Sequence, residues 1–576
     1  MGEEAAARVR FRRGALIGMT ASVALFAALL LEWSVDLFAT EPLSGFHDAQ
    51  ARSLLNGRWD AEADAFSFER FSIDGRFYTY FGPWPAVLRV PIVLVTSSLD
   101  GRLGRTSMLV AFVTALLATM RIVWLIRRRM LGSQQVRGSG TWATAGLFLA
   151  LGASSGLLFL GSSAWVYNES ALWGAAWATV SFGFILAHLD QHRSRDLVIA
   201  SATATLALLS RPSVGAGPAL ALALVAIVRL IAGAKHVPGV VSLSTNPSTW
   251  RPRIGTWLEI QSGHFRGRSA VAAVVPFVAA GAVNLFKFGS LSVPWGSQDL
   301  LVNNVDRSAA LEETGGTLTG MEYLVPNVVQ YMRPDGLQFT SLFPWVTFPG
   351  RESILGDLPR DPFSPTASLL ATTPLLALLS LVGLVVVVRG SHSAEVQSQW
   401  HSLRPLRAPV IGACGACLVT LLLASSSERY KVDAFPVLAI AAPVGAYALL
   451  THVRGRPTAK RAIAAAALAL GVWGVWVSTS LAVDVDRLYA PFGVPRVRAA
   501  YVNAKLDVTE ALGGLADIRA LQSSDPPTSS RVAEHSVGMF HIEGACDALR
   551  IFDGGSWLVV EAAGGPTPVC DRLLGP

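Results

Sequence analysis

Arg8-Val-Arg10-Phe-Arg12-Arg13, followed by Gly14-Ala-Leu-Ile-Gly-Met-Thr-Ala-Ser-Val-Ala-Leu-Phe-Ala-Ala-Leu-Leu-Leu-Glu-Trp33, is the stretch on which the fold turns. A helix rising 1.5 Å per residue needs about 20 apolar residues to cross a hydrocarbon core about 30 Å thick, and this run supplies them. Charge followed by apolar residues is also the order of a secretory signal peptide. No small-residue cleavage site follows, however, and the run passes directly into Leu31-Glu32-Trp33. The expectation is an uncleaved first membrane helix.

Working outward, comparable runs occur at 105–126, 142–161, 169–189, 196–211, 213–232, 269–288, 367–388, 408–425, 434–451 and 461–482. The chain is 52% hydrophobic and 15% charged, whereas soluble domains carry about a quarter charged residues. The reading is an all-α polytopic membrane protein of about eleven transmembrane helices.

Each span moves the next connection to the other side of the bilayer, so the basic residues test the count. Arg127-Arg128-Arg129 with Arg137, His192-Arg193-Ser194-Arg195, and the segments 235–268, 389–407 and 454–461 are all basic and fall on one side. Connections on the other side are mixed or acidic, as in Asp60-Ala61-Glu62-Ala63-Asp64. The expectation is a multi-pass protein of the plasma membrane with a cytoplasmic N-terminus and with 34–104, 289–366 and 483–576 outside. The net charge of +7 lies mostly in the basic connections, which points to topology and away from nucleic acid.

The chain therefore divides into a membrane domain, 1–482, with two large outer loops, and a small extracytoplasmic domain, 483–576, of α+β or β-rich type. The second has turn signals at Asp525-Pro526-Pro527 and Asp553-Gly554-Gly555, and strand-like runs at Gly538–Glu543 and Ser556–Glu561. Cys546 and Cys570 bracket that core in a compartment where a disulfide persists; two lone thiols are the alternative. Cys414 and Cys417 lie inside an apolar run and read as small core residues rather than a redox pair. In the first loop, Trp84–Leu99 is apolar but short and is interrupted by Arg89 and Pro91, which fits an interfacial helix. Before it stands an aromatic cluster, Phe77-Tyr78-Thr79-Tyr80-Phe81-Gly82-Pro83-Trp84-Pro85, of a kind that settles at membrane–water boundaries.

Ionisable residues near span ends are the candidates for chemistry. Asp48 opens a helical pattern, where it suits the helix dipole or acts as a general base on an acceptor hydroxyl. Glu169 follows Asn168, itself a capping candidate, at the mouth of the fourth span, as a solvated cap or as a site residue beside Asp48. Arg211, in Ser210-Arg211-Pro212, and Arg429, in Glu428-Arg429-Tyr430, suit a phosphate, or else snorkel to the interface. His47 beside Asp48 is a weaker ligand or base candidate. No phosphate loop, nucleophile elbow or zinc spacing is present.

Phe46-His47-Asp48-Ala49-Gln50-Ala51-Arg52-Ser53-Leu54-Leu55-Asn56-Gly57 resembles the first-loop helix of the GT-C superfamily of membrane glycosyltransferases, in its protein mannosyltransferase and aminoarabinose-transferase branch. Asp48 stands at that family's acidic position. Asp74-Gly75-Arg76-Phe77-Tyr78 through Pro85 is similar to its approach to the membrane, and Leu206–Ser213 to its turn of apolar residues, a basic residue and Pro. Asn284-Leu-Phe-Lys287-Phe-Gly289 is similar to a pattern in related bacterial membrane proteins, and Arg429-Tyr430 before Phe435-Pro436 to a late Arg-Tyr motif. The likeness runs thinly over residues 1 to about 450 and leaves the C-terminal domain unmatched. His47 stands where many members carry a second acid, and Glu169 follows Asn168 where members vary. No cofactor is implied with certainty, and a divalent metal is left open.

The resemblance implies a bacterial cell-envelope transferase with a polyprenyl-phosphate-linked sugar as donor. The lipid would lie between spans, with its phosphate near Arg211 or Arg429. Asp48, with Glu169, would activate the hydroxyl of an extracytoplasmic glycan, lipid or protein for inverting transfer. His47, Tyr78, Tyr80 and Trp84 would line the sugar. A transporter or flippase of a lipid-linked precursor is one alternative, and would place ionisable groups in broken helices at mid-membrane. A non-catalytic envelope scaffold is another, and would leave Asp48 and Glu169 far apart.

Overall fold

Each of the eleven expected spans is helical over most of its length in the computed structural model. It describes residues 2–31, 35–41, 43–131, 140–234, 266–339, 343–349, 358–359, 366–389 and 403–489, and, in the tail, 518–523, 533–537, 540–545, 548–553 and 556–562. The main helices are α1 (Gly2–Leu30), α2 (Phe46–Leu55), α3 (Trp84–Val93), α4 (Gly104–Leu131), α5 (Gly140–Ala153), α6 (Gly156–Phe159) and α7 (Val166–Gln191). They continue as α8 (Ser194–Leu208), α9 (Pro212–Ala234), α10 (Arg266–Phe288), α11 (Pro374–Arg389), α12 (Arg407–Leu421), α13 (Phe435–His452) and α14 (Pro457–Tyr489).

Seven of the described helices are long and apolar enough to cross a membrane, and a bent pair over Gly140–Ser162 makes up to eight. This is a helical, multi-pass membrane protein. The other three expected spans, α8, α11 and α12, are helices of 15, 16 and 15 residues, only about 23 Å long. Residues that hydropathy assigns to these spans go into turns instead. Leu209–Arg211 form the tight connection to α9. Thr373, ahead of Pro374, leaves the helical region, as a residue before proline tends to.

The bend of 45° after Ala153 has a local cause. Ser154 Oγ donates to Ala150 O (2.9 Å) and Ser155 Oγ to Leu151 O (2.6 Å), and Ser155 Oγ then accepts from Leu157 N (3.3 Å) and starts the next turn. Elsewhere the helices approach closely through small residues, as membrane helices do. A Cβ on Gly383 of α11 would lie 1.9 Å from Ala441 O, and one on Gly445 of α13 would lie 1.9 Å from Leu379 O.

The first loop is ordered around α2. This helix has Asp48 in its first turn and Arg52 in its last, matching the dipole, and stops before Gly57, whose φ is +68°. A hairpin follows, β1 (Phe71–Ile73) against β2 (Arg76–Tyr78), turning through Asp74 and Gly75, both with positive φ. The helix expected over Trp84–Leu99 stops at Val93; Arg89 is buried while Val87 is exposed. The second loop is fastened to the bundle by Asn327, whose amide donates to Leu421 O (3.0 Å) and Leu423 O (2.8 Å) at the end of α12.

Arg127–Arg129 lie at the end of α4 far from the Gly101 turn, and His192–Arg195 follow the end of α7 far from Glu169. In the tail, five strands between Ile518 and Ala562 pair as one antiparallel sheet, the first strand beside the last. Cys546, Cys570, Arg137 and most of the segments 235–268 and 389–407 lie outside the described residues.

Candidate active site

Asp48 sits on α2 with its side chain turned into the protein, 1% exposed. Its Oδ2 accepts from Arg89 Nη1 (3.1 Å) and from the Gly101 amide (2.8 Å). Arg89 reaches from α3, and its Nη2 donates to Glu169 Oε2 (2.6 Å) at the start of α7. One guanidinium thus joins the two candidate carboxylates, and all three side chains are almost fully buried. Glu169 Oε1 accepts from Ser107 Oγ (2.7 Å), which in turn accepts from Trp173 Nε1 (2.9 Å). Asp48 Oδ1 is buried and meets no hydrogen-bond donor among the described residues.

Burial raises the Asp48 carboxyl above its ordinary pKa, against the opposing pull of Arg89 and the Gly101 amide. Burial, reinforced by Arg89, holds the His47 imidazole well below its ordinary value. His47 Nε2 lies 3.3 Å from Ser170 Oγ of α7, so His47 fixes α2 against the helix that carries Glu169.

A second charged centre begins two residues earlier on α7. The Tyr167 hydroxyl donates to Glu69, whose other oxygen accepts from Gln298 Nε2 (2.6 Å). Over the Tyr167 ring stands the Arg429 guanidinium, 4.4 Å from the centroid, and 5.6 Å from that of Tyr430. Arg211 approaches the Tyr430 ring at 5.0 Å. It also donates to both oxygens of Asp433, Nε at 2.8 Å and Nη2 at 3.3 Å. Stacking occupies a guanidinium's faces and keeps its N–H groups directed in the ring plane.

The expected site residues therefore divide between two centres. Asp48, Glu169 and His47 gather around Arg89 and Ser170, and Arg211 and Arg429 gather around Tyr430. Tyr80 belongs with the second group: it stacks on Phe81 (4.3 Å) beside Tyr167, and burial with the neighbouring Glu69 pushes its phenol well up. Tyr78 lies against Phe288 (6.2 Å), and Trp84 against Trp177 (5.9 Å). Neither touches a charged centre in these contacts.

Three alternatives weighed on the sequence are corrected. Glu169 is no solvated cap, being 2% exposed. Asn168 does not cap α7, which starts after Trp165; its amide bonds back to Leu160 O (3.3 Å) and Ser163 O (3.0 Å). Arg211 does not snorkel, because it is held by Asp433. In addition, Cys414 is exposed and unbonded to Cys417, so it is not a core residue.

Arg89, Glu69, Ser107, Asp433 and Lys287 were not singled out from the sequence. Arg89 did carry a signal, an ionisable residue inside an apolar helix. Lys287, buried at the end of α10, donates to Thr79 O (3.1 Å) and Phe81 O (2.6 Å) and fixes the aromatic segment. Among the described residues no group of three or more His, Cys, Asp or Glu is placed to hold a metal ion.

No family model matches the chain, and no curated protein is similar to it. Among solved structures, the chain is similar to the crystal structure of ArnT from Cupriavidus metallidurans bound to undecaprenyl phosphate. The match has 14% identity and a TM-score of 0.41, and covers 84% of this chain and 81% of that one. At that identity and TM-score it says nothing of activity.

Proposed function

We propose that the protein is a membrane glycosyltransferase that moves a sugar from a polyprenyl-phosphate donor to a hydroxyl group on the outer side of the cell membrane. The observation that carries this reading is the convergence at the start of α7. There a buried carboxylate pair and an aromatic-stacked arginine pair lie two residues apart in sequence, at Glu169 and Tyr167. A scaffold needs no such convergence.

In the proposed reaction the acceptor oxygen attacks the anomeric carbon from the face opposite the phosphate. The carbon–oxygen bond to phosphate breaks, and the leaving group departs as polyprenyl phosphate. The acceptor proton passes to Asp48, whose raised pKa brings a carboxylate closer to the basicity this task requires. Arg429 binds and stabilises the phosphate oxygens, and Arg211, held by Asp433, braces the Tyr430 ring beside it. The basic connections support an orientation with α2 and the start of α7 outside.

The test is turnover of polyprenyl-phosphate sugars by purified protein. Loss of transfer in Asp48→Asn with retained donor binding is the expected result, and unchanged turnover rejects the reading. The bent helix over Gly140–Ser162 favours a second reading, a transporter of a lipid-linked precursor. It predicts movement of intact donor across a vesicle membrane, with no glycosidic bond broken.

A further inference from the structure

Arg89 interrupts an apolar stretch in the sequence, and in the fold it is one guanidinium for two carboxylates. Its Nη1 bonds Asp48 Oδ2 (3.1 Å) and Ser44 O (3.3 Å), and its Nη2 bonds Glu169 Oε2 (2.6 Å). The planar fork fixes the angle between those bonds, so α2 and α7 are registered to each other through a single side chain of α3. The Gly101 amide takes Asp48 Oδ2 as well (2.8 Å). Every described polar contact of Asp48 therefore falls on Oδ2, and Oδ1 is left with none.

We propose that Arg89 is a positioning residue: by clamping Asp48 Oδ2 and Glu169 together it directs Asp48 Oδ1 as the proton-accepting atom and keeps the carboxylate ionised in a buried place. The catalytic meaning rests on the transferase reading; the clamp itself does not.

The charges facing Asp48 fit this role. Arg89 comes from α3, Glu169 from α7, and Asp100 from the turn before α4; His47 shares α2, and Lys287 of α10 lies beyond His47. Asp100 is itself paired with Arg52 of α2 (2.7 Å). Arg89 is the cation in direct contact with the Asp48 carboxylate. Without it, two buried carboxylates would face each other with no shared cation, and one would take up a proton.

The experiment is an infrared titration of full-length protein in lipid nanodiscs, with the Asp48 carboxyl band assigned by its loss in Asp48→Asn. In Arg89→Gln that titration is expected to move to higher pH by about one unit or more, and in Arg89→Lys to return most of the way. The acid limb of kcat for sugar transfer is expected to move in parallel. A monodisperse Arg89→Gln protein whose Asp48 titration stays in place overturns the proposal. If that variant does not fold, Glu169→Gln decides. Removing the competing negative charge must lower the Asp48 titration, and a titration that is unmoved or raised overturns the clamp. Absence of transfer by the parent protein rejects the transferase reading and leaves the infrared titration to judge Arg89 alone.

Discussion

At the Asp48 centre one guanidinium holds two carboxylates; at the Tyr430 centre two guanidinium groups flank one ring, and one of them is matched to a single carboxylate, Asp433. The residue types are the same, but the second centre holds two guanidinium groups with Glu69 and Asp433, where the first holds one with Asp48 and Glu169. Where carboxylates outnumber the cation, one carboxylate oxygen remains without a donor, which suits a group that accepts a proton. Where the cation is stacked on rings, the faces are used and the N–H edges keep a fixed direction, which suits a phosphate. The proposed transferase would use both environments side by side, and α7 carries a residue of each, Tyr167 and Glu169.

The largest expected effect tests the first centre. Asp48→Asn should lower transfer by about 10²–10⁴-fold, the usual contribution of a general base, in single-turnover assays with lipid-linked sugar. Its melting temperature near neutral pH should not fall. A carboxyl whose pKa is raised by folding holds its proton more tightly in the folded state. Stability is therefore lost as pH rises from the unfolded pKa through the folded one, and asparagine carries no such charge. A drop in melting temperature as large as the drop in rate would reassign Asp48 to structure.

The next effect separates the two arginines of the second centre. Arg211→Ala leaves Asp433, 1% exposed, as a buried charge without its guanidinium, so a loss of about 3–5 kcal/mol is expected in denaturant melts. Adding Asp433→Leu should recover much of it. An unchanged melt combined with weaker lipid binding would turn Arg211 from a brace into a ligand residue.

Arg429→Ala should weaken polyprenyl-phosphate binding by about 10–100-fold, the worth of about 1.5–3 kcal/mol in charged hydrogen bonds. Asp48→Asn should leave the same binding unchanged. Equal losses in both variants would mean that the two centres are one.

The smallest effect concerns His47. Its folded pKa is depressed, so stability is present above the unfolded value of about 6.5 and is lost as pH falls below it. In His47→Gln, thermal melts between pH 7 and pH 5 should show a flatter dependence. An unaltered slope would place the acid sensitivity elsewhere.

Much of the scaffold was legible because its causes are local. Gly14–Leu30 is helical since a polar backbone in hydrocarbon must bond to itself. Phe46–Leu55 is helical with Asp48 at its start and a positive-φ Gly57 beyond its end. The lengths of α8, α11 and α12 were less legible, because hydropathy does not register where Leu209, Thr373 or Leu422 turn the chain. At the site, Asp48 and Glu169 stood out as carboxylates near span ends. Arg89 was visible but read as an interruption, and Glu69 sits in a polar loop where one more carboxylate is unremarked.

What the sequence by itself determined is one-dimensional: the order of apolar helices, the alternation of basic and non-basic connections, and the helix that carries Asp48. Only the tertiary structure decided which charges meet. Arg89 is 41 residues from Asp48 and 80 from Glu169, and Arg211 is 222 from Asp433. Sequence spacing sets which side chains share a helix face, but ion pairing depends on distance through space and on the loss of water around both partners. Those two quantities exist only once the helices have packed.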